Sequence, residues 1–250
     1  MNYIVAIPAR FASTRLPGKP LRLLGGKPII CHVVDRAFES GASQVVVATD
    51  QQGIADAVAG MNVTVRMTRT DHTSGTDRLA ECAQQLAWPD DAIIVNLQGD
   101  EPFAPSSSIR LLAATLHSNN SPMATLACKL TGAADFFNPN CVKVIRDSSG
   151  KALYFSRAPI PWDREQFIYD RMHVHDFALR HIGLYAYRAG FLKTFAALPI
   201  GRLEQIECLE QLRVIEAGYS IAVATTEDEF PHGIDTEQDL IAAEKYIKSL

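Results

Sequence analysis

Three cations, Arg10, Arg15 and Lys19, fall within ten residues of sequence, with Ser13, Thr14 and Gly18 between them. Such a cluster suits a polyphosphate, whose oxygens arginine and lysine can neutralise and hold. It equally describes a solvated basic loop. Pro17-Gly18-Lys19-Pro20 favours the first reading, because two prolines and a glycine fix a path that a merely solvated loop does not need. Asp100, in the stretch Gln98-Gly99-Asp100-Glu101-Pro102, is a second centre: it either closes a turn or holds magnesium, which takes only one or two carboxylates beside water and phosphate oxygens. Asp235, in Gly233-Ile234-Asp235-Thr236 with Gln238 three residues on, reads from its spacing as a helix N-cap. Gly18-Lys19 is followed by Pro20 rather than Ser or Thr, and no GxGxxG follows the first apolar run, so P-loop and dinucleotide motifs are both excluded. The seven histidines form no HExxH, and His173 and His175 read as solvated.

The elements that must position these residues are readable in outline. Residues 4–7 form a short apolar run, expected to be a buried parallel strand that ends at Pro8. Open α/β sheets bind ligands where strands hand over to loops at their carboxyl ends, which is where the basic loop begins. Gly25-Gly26 marks a turn, and residues 29–38 repeat at helical spacing until Gly41. Residues 44–49, 63–66, 92–97 and 123–129 read as further strands, with helices over 54–58, 79–86 and the stretch after Ser106. Strands alternating with helices imply parallel pairing through right-handed crossovers. Beyond residue 142 the pattern changes to a hairpin around Ser148-Ser149-Gly150, an irregular segment over 163–176, and an aromatic strand over 181–187. A single amphipathic helix is expected over 203–215, stopped by Gly218. A last strand over 220–224 and a helix over 237–247 rejoin the sheet.

At 250 residues, with 47% hydrophobic and 21% charged side chains, the chain describes an ordinary globule with a substantial core. A net charge of -4 argues against general nucleic-acid affinity, so an anionic ligand must meet a local basic patch. The five cysteines (Cys31, Cys82, Cys128, Cys141, Cys208) are scattered and read as small core residues in a reducing compartment. With no signal peptide or membrane span, a cytoplasmic location is expected.

Residues 8–20, together with the stretches 98–102 and 233–236, resemble the signature of the 3-deoxy-manno-octulosonate (Kdo) cytidylyltransferases, the CMP-Kdo synthetases of lipopolysaccharide assembly. The resemblance runs to the end of the chain. It implies a three-layer α/β fold of the nucleotide-diphospho-sugar transferase type, with a mixed, mainly parallel sheet and an inserted β-rich lobe. Residues 1–150 would form the CTP-binding core, 151–218 a sugar-binding and dimerisation lobe, and 219–250 a return to the core. The implied reaction is CTP plus Kdo giving CMP-Kdo and pyrophosphate, in a homodimer. By resemblance Arg10, Arg15 and Lys19 hold the CTP phosphates, and Lys19 stabilises the departing pyrophosphate. Ala9, Ser74 and Arg78 would lie near the nucleotide, and Gln98 would read the cytosine edge. Asp100 and Asp235 would be magnesium ligands. Arg157, His181, Tyr185, Glu210 and Gln211 would surround the sugar acid, with Arg157 and His181 able to meet its carboxylate and Glu210 and Gln211 its hydroxyls. His232, ahead of Gly233, is one departure beside that metal site. A sialate-type enzyme would carry Gly-Gly-Ser where this chain has Phe11-Ala12-Ser13. A sugar-1-phosphate nucleotidyltransferase would start with a glycine-richer loop. A catalytically silent nucleotide sensor would have no reason to keep Asp100 and Asp235 together. Kdo and an 8-amino analogue differ by one group, which one pocket residue could read.

Overall fold

The computed structural model describes every residue except Thr14, Thr131, Asp176, His232 and Leu250, so Thr14 of the basic loop and His232 beside Gly233 lie outside the described residues. In chain order the elements begin with β1 (Ile4–Ala9), a two-residue hairpin of β2 (Leu23–Leu24) and β3 (Lys27–Pro28), α1 (Ile29–Glu39), β4 (Gln44–Thr49), α2 (Gln52–Val58) and β5 (Thr64–Met67). They continue with α3 (Gly75–Gln85), β6 (Ile93–Asn96), α4 (Ser106–His117), β7 (Met123–Lys129), α5 (Ala133–Phe137), β8 (Lys143–Arg146) and β9 (Ala152–Ser156). The rest are α6 (Gln166–Tyr169), β10 (Leu179–Arg188), α7 (Ala189–Ala197), α8 (Arg202–Glu207), α9 (Leu212–Glu216), β11 (Ile221–Thr225) and α10 (Glu237–Ile247). None of these helices is long and apolar enough to cross a membrane.

The main sheet runs β11-β7-β10-β6-β1-β4-β5, with the β8–β9 hairpin hung on β10. All neighbours on that path are parallel except β10, which pairs antiparallel with both β6 and β7. Alternation along the strands feeds two apolar layers, as a sheet covered on both faces requires. Val5, Ile7, Val45 and Val47 pack on one side with α1, α2 and α4, whereas Ala6, Val46 and Ile94 pack on the other with α3 and α7. The architecture is therefore three-layered. Leu130, Phe136, Phe167 and Ala178 form a small separate cluster.

Several expectations are corrected. β1 does not stop at Pro8 but continues to Ala9, because Pro8 lacks its N–H on the side where nothing is left to pair. Leu97 N–H donates to the Ala6 carbonyl at 3.1 Å, so Pro8 faces that same side, and the β6 pairing ends at Ala6. The aromatic strand is not part of a lobe beside the sheet: β10 runs through its middle, and only its amino-terminal end carries β8. The expected helix over 203–215 is two short helices, broken where Cys208 adopts a left-handed backbone at φ 51°. Glu207 and Glu210 therefore do not share one helical face. α3 starts at Gly75, four residues earlier than its apolar spacing suggests, capped by Ser74. Cys208 is exposed, although Cys31 and Cys82 are buried as expected.

Candidate active site

Because β1, β4 and β6 are parallel, their carboxyl ends deliver three loops to one edge. The basic loop leaves β1, Asp50 leaves β4, and residues 98–102 leave β6. β10, running the other way, extends past the end of β6, so His181 and Tyr185 reach the same edge from its amino-terminal half. A cavity of about 520 Å³ opens there, lined by Ala9, Arg10, Arg15, Lys19, Ser74, Arg78, Gln98, Asp100 and Asp235. The backbone approaches closely around it. A Cβ on Gly99 would sit 3.1 Å from the Pro8 carbonyl, and one on Gly75 would sit 3.1 Å from the Pro8 ring.

The basic loop is held by more than its prolines. Leu16 is buried, Gly18 takes the left-handed conformation that glycine adopts without strain, and Lys19 opens a 3-10 turn. The three cations take different situations. Lys19 is mostly buried, with Nζ 2.5 Å from Asp100 Oδ2 and 3.0 Å from Asp235 Oδ1. Burial pulls its pKa down, but the charges and hydrogen bonds of Asp100 and Asp235 outweigh that and leave it above the ordinary lysine value. Arg15, largely exposed, reaches the other Asp235 oxygen at 3.1 Å. Arg10 is exposed at the mouth and makes no ion pair among the described residues.

The meeting of Asp100 and Asp235 has a backbone cause: Ile234 N–H donates to the Asp100 carbonyl at 2.9 Å, laying the stretch before α10 against the turn after β6. Asp235 is not the N-cap expected from its spacing. Thr236 caps α10, its hydroxyl accepting from Asp239 N–H at 3.2 Å while the Asp239 carboxylate accepts from Thr236 N–H at 2.8 Å. The Asp235 carboxylate is thereby free to face the cavity. Among the described residues no group of three or more His, Cys, Asp or Glu could hold a metal, so two carboxylates are what this edge offers. Glu101, next to Asp100, is pushed up to about 8 by burial, with the Asp100 charge adding to it.

Ser74 and Arg78 border the cavity but are also structural. Ser74 Oγ accepts from Asp77 N–H at 3.1 Å as the cap of α3. Arg78 is buried, pairs with Asp50 at 2.9 Å and also donates to Thr68 Oγ1. The second Asp50 oxygen accepts from Phe11 N–H at 3.2 Å, so one buried carboxylate ties the start of the basic loop to α3. Asp50 was not anticipated, although an acid closing an apolar strand is the same signal that drew attention to Asp100. Gln98 donates to Asn96 Oδ1 at 3.0 Å, which fixes its amide.

The expected sugar residues divide. His181, half-buried, lies between the rings of Phe155 and Tyr185, at 4.8 and 5.4 Å between centroids. Burial pulls its pKa down to about 3, so it is neutral at physiological pH. Burial also raises Tyr185 well above the usual phenol value. Glu210 sits in the break between α8 and α9 and accepts from Thr76 Oγ1 at 3.1 Å, which ties it to the first turn of α3. Its pKa is raised by burial against the hydrogen bonds of Ser74 and Thr76. Gln211 is 3% exposed and its Nε2 has no hydrogen-bond partner among the described residues. Arg157 stands apart: its guanidinium donates to the carbonyls of Glu207 at 2.6 Å, Pro139 at 3.0 Å and Cys208 at 3.5 Å. Two of these bonds hold the end of α8 and the third reaches the turn at Pro139, and no contact joins Arg157 to His181, Tyr185 or Glu210 among the described residues.

Comparison with known proteins identifies the family. The family model described as cytidylyltransferase matches residues 4–223. A 3-deoxy-manno-octulosonate cytidylyltransferase from Stenotrophomonas maltophilia (strain K279a) is 57% identical over 252 residues, covering 100% of this chain and 98% of its own. The enzyme of the same name from Xylella fastidiosa (strain Temecula1 / ATCC 700964) is 56% identical, with 100% of both chains covered. Among solved structures, CMP:2-keto-3-deoxy-manno-octonic acid synthetase complexed with CTP superposes with a TM-score of 0.90 at 38% identity, over 100% of this chain and 99% of that one. A putative glucose-1-phosphate thymidylyltransferase from Bacillus anthracis, at 15% identity and a TM-score of 0.66, shares the fold. Matched by the family model from its first strand into β11, and by full-length relatives at more than half identity, the chain belongs to the cytidylyltransferase family.

Proposed function

We propose that this protein transfers the cytidylyl group of CTP to Kdo, giving CMP-Kdo and pyrophosphate for lipopolysaccharide biosynthesis. The observation that carries the reading is the convergence of Lys19, Asp100 and Asp235 from three distant parts of the chain onto one strand edge. The anomeric hydroxyl oxygen of the sugar acid bonds to the α-phosphorus, the bond from that phosphorus to the bridging oxygen of pyrophosphate breaks, and the hydroxyl proton passes to solvent. Arg10, Arg15 and Lys19 meet the phosphate oxygens, and Lys19 faces the charge that grows on the leaving pyrophosphate. Ala9 and Gly99 bring backbone close to the nucleotide, Gln98 presents a fixed amide to the base, and Ser74 and Arg78 shape its side of the pocket. His181, Tyr185, Glu210 and Gln211 receive the sugar, with Arg157 holding the end of α8 beside them.

Asp100 and Asp235 already share one cation, the Lys19 ammonium, so the pair suits magnesium, which needs few protein carboxylates when phosphates supply the rest. Bound there with CTP, magnesium would neutralise charge on the triphosphate as it is cleaved. The remaining parts of the reading are a nucleotide core over 1–150, a sugar and dimer region over 151–218, and a return over 219–250. A homodimer is supported by an exposed apolar face on that region, where Trp162, Ile168, Tyr169, Met172 and Phe177 are each more than half exposed. A cytoplasmic setting is supported by five free cysteines. The test is pyrophosphate release across a panel of CTP and UTP with Kdo, 8-amino-Kdo and sialate. Release confined to CTP with Kdo is expected; release with a sialate alone, or with none of the sugar acids, overturns the reading.

A further inference from the structure

Where β10 pairs with β7 the register jumps: Ile182 lies opposite Leu126, and the next pair is Tyr185 with Thr125. The two skipped residues, Gly183 and Leu184, form a bulge in β10. Thr125, fully buried on β7, fills it from below. Its Oγ1 lies 2.8 Å from the Leu184 carbonyl, 3.1 Å from the Ile182 carbonyl and 3.0 Å from His181 Nε2. A threonine hydroxyl has one proton to give and lone pairs to receive with. The two carbonyls can only accept, so they claim that proton. The imidazole nitrogen must then be the donor, since the opposite assignment would take the only side-chain donor away from both bulge carbonyls.

We infer that Thr125 fixes His181 as the Nε2–H tautomer, so that Nδ1 is presented as a hydrogen-bond acceptor for a hydroxyl of the sugar acid rather than as a partner for its carboxylate. Nothing on the described residues occupies Nδ1, whereas Nε2 is committed to Thr125. The half-open ring, clamped between Phe155 and Tyr185, stays neutral, and a neutral acceptor attracts a donor and gains nothing from an anion. Thr125 is thus a positioning residue acting through His181, and the inference rests on His181 lying in the sugar subsite of the proposed reaction. The same acceptor would discriminate by donor geometry, which a carboxylate-binding histidine would not do.

The tautomer is read directly by nitrogen NMR of the full-length protein labelled at histidine, with His181→Gln identifying the resonances. In wild-type enzyme near neutral pH the proton should sit on Nε2, and a proton on Nδ1 or on both nitrogens overturns the inference. Thr125→Ser should keep the Nε2–H signature. Thr125→Val should lose it and raise the KM for Kdo about tenfold, the cost of one misplaced hydrogen bond, with the KM for CTP within about twofold. A Thr125→Val enzyme with wild-type tautomer and KM refutes the positioning role. Adding Kdo with a non-cleavable α,β-methylene CTP should shift Nδ1 as it accepts a proton, leaving Nε2 protonated. An unmoved Nδ1 in that ternary complex refutes the acceptor role. Absence of pyrophosphate release from CTP and Kdo is a separate failure, of the proposed function, whatever the tautomer.

Discussion

Holding His181 neutral should leave a mark on stability that is independent of turnover. The folded pKa is about 3, against 6.5 for an ordinary histidine. Between those values the unfolded chain binds a proton that the folded chain refuses, so folding loses stability as pH falls from about 6.5 towards 3. At pH 5.0 the full difference corresponds to about 2 kcal/mol, and at pH 7.5 to almost nothing. Because His181 is only partly buried, solvent relieves part of this, and about 1 kcal/mol is the expected loss. His181→Gln can still donate to Thr125 and has nothing to titrate. Urea unfolding of wild type and variant at pH 7.5 and 5.0 isolates the effect, since every other group titrates in both proteins. Wild type should lose about 1 kcal/mol more than His181→Gln between the two pH values. Equal losses would show that the ring is as easily protonated folded as unfolded, and would remove the basis for a neutral acceptor.

Lys19→Ala should lower turnover at saturating CTP by roughly 100- to 1,000-fold, as loss of one preorganised contact to a developing charge does; steady-state rates near wild type would exclude Lys19 from the chemistry. Thr236→Ala should cost about 1 kcal/mol as a lost cap with the magnesium dependence of turnover unchanged, whereas Asp235→Asn should keep the melting temperature and demand more magnesium. The reverse pattern in thermal melts and magnesium titrations would return Asp235 to a structural role. Asp50→Asn leaves the buried Arg78 guanidinium without its counter-charge, at a cost of about 3 kcal/mol in urea unfolding, and should raise the KM for CTP more than that for Kdo. An unchanged KM for CTP would mean that the basic loop does not depend on Asp50.

The strands over 44–49 and 123–129 were readable to the residue because each apolar run ends abruptly in polar or turn-forming sequence; α10 was readable in its bounds, although its cap is Thr236 and not the neighbouring Asp235. What depends on distant pairing was not readable. Nothing in residues 181–187 says that this strand enters the middle of a sheet whose other neighbours are far away in sequence. Pro8 looked like a stop because only a tertiary partner's absence makes proline tolerable inside a strand. The first turn of α3 escaped detection because Gly75, Thr76 and Asp77 carry no apolar periodicity; Asp77 serves the cap through its backbone N–H, and the Thr76 hydroxyl holds Glu210. The opposite error occurred at 203–215, where the apolar spacing continues across the break at Cys208, and it is that break which places Glu210 and Gln211. Of the site, the charged centres were visible by type. Their supports, Asp50, Thr76 and Thr125, were not, because ordinary strand and helix residues acquire such roles only from what lies opposite them.

Lys19 sits where its ammonium closes a gap between two carboxylates that would otherwise repel each other. A divalent ion arriving alone would have to evict that ammonium into a pocket already crowded with positive charge. An ion arriving with a triphosphate brings the evicted lysine its next counter-ion. On the proposed reading, metal and nucleotide would favour entering together, Asp100 and Asp235 turning from the lysine to the metal while Lys19 turns from the aspartates to a phosphate. Once pyrophosphate departs, the same two carboxylates would again be the nearest counter-charges for the Lys19 ammonium.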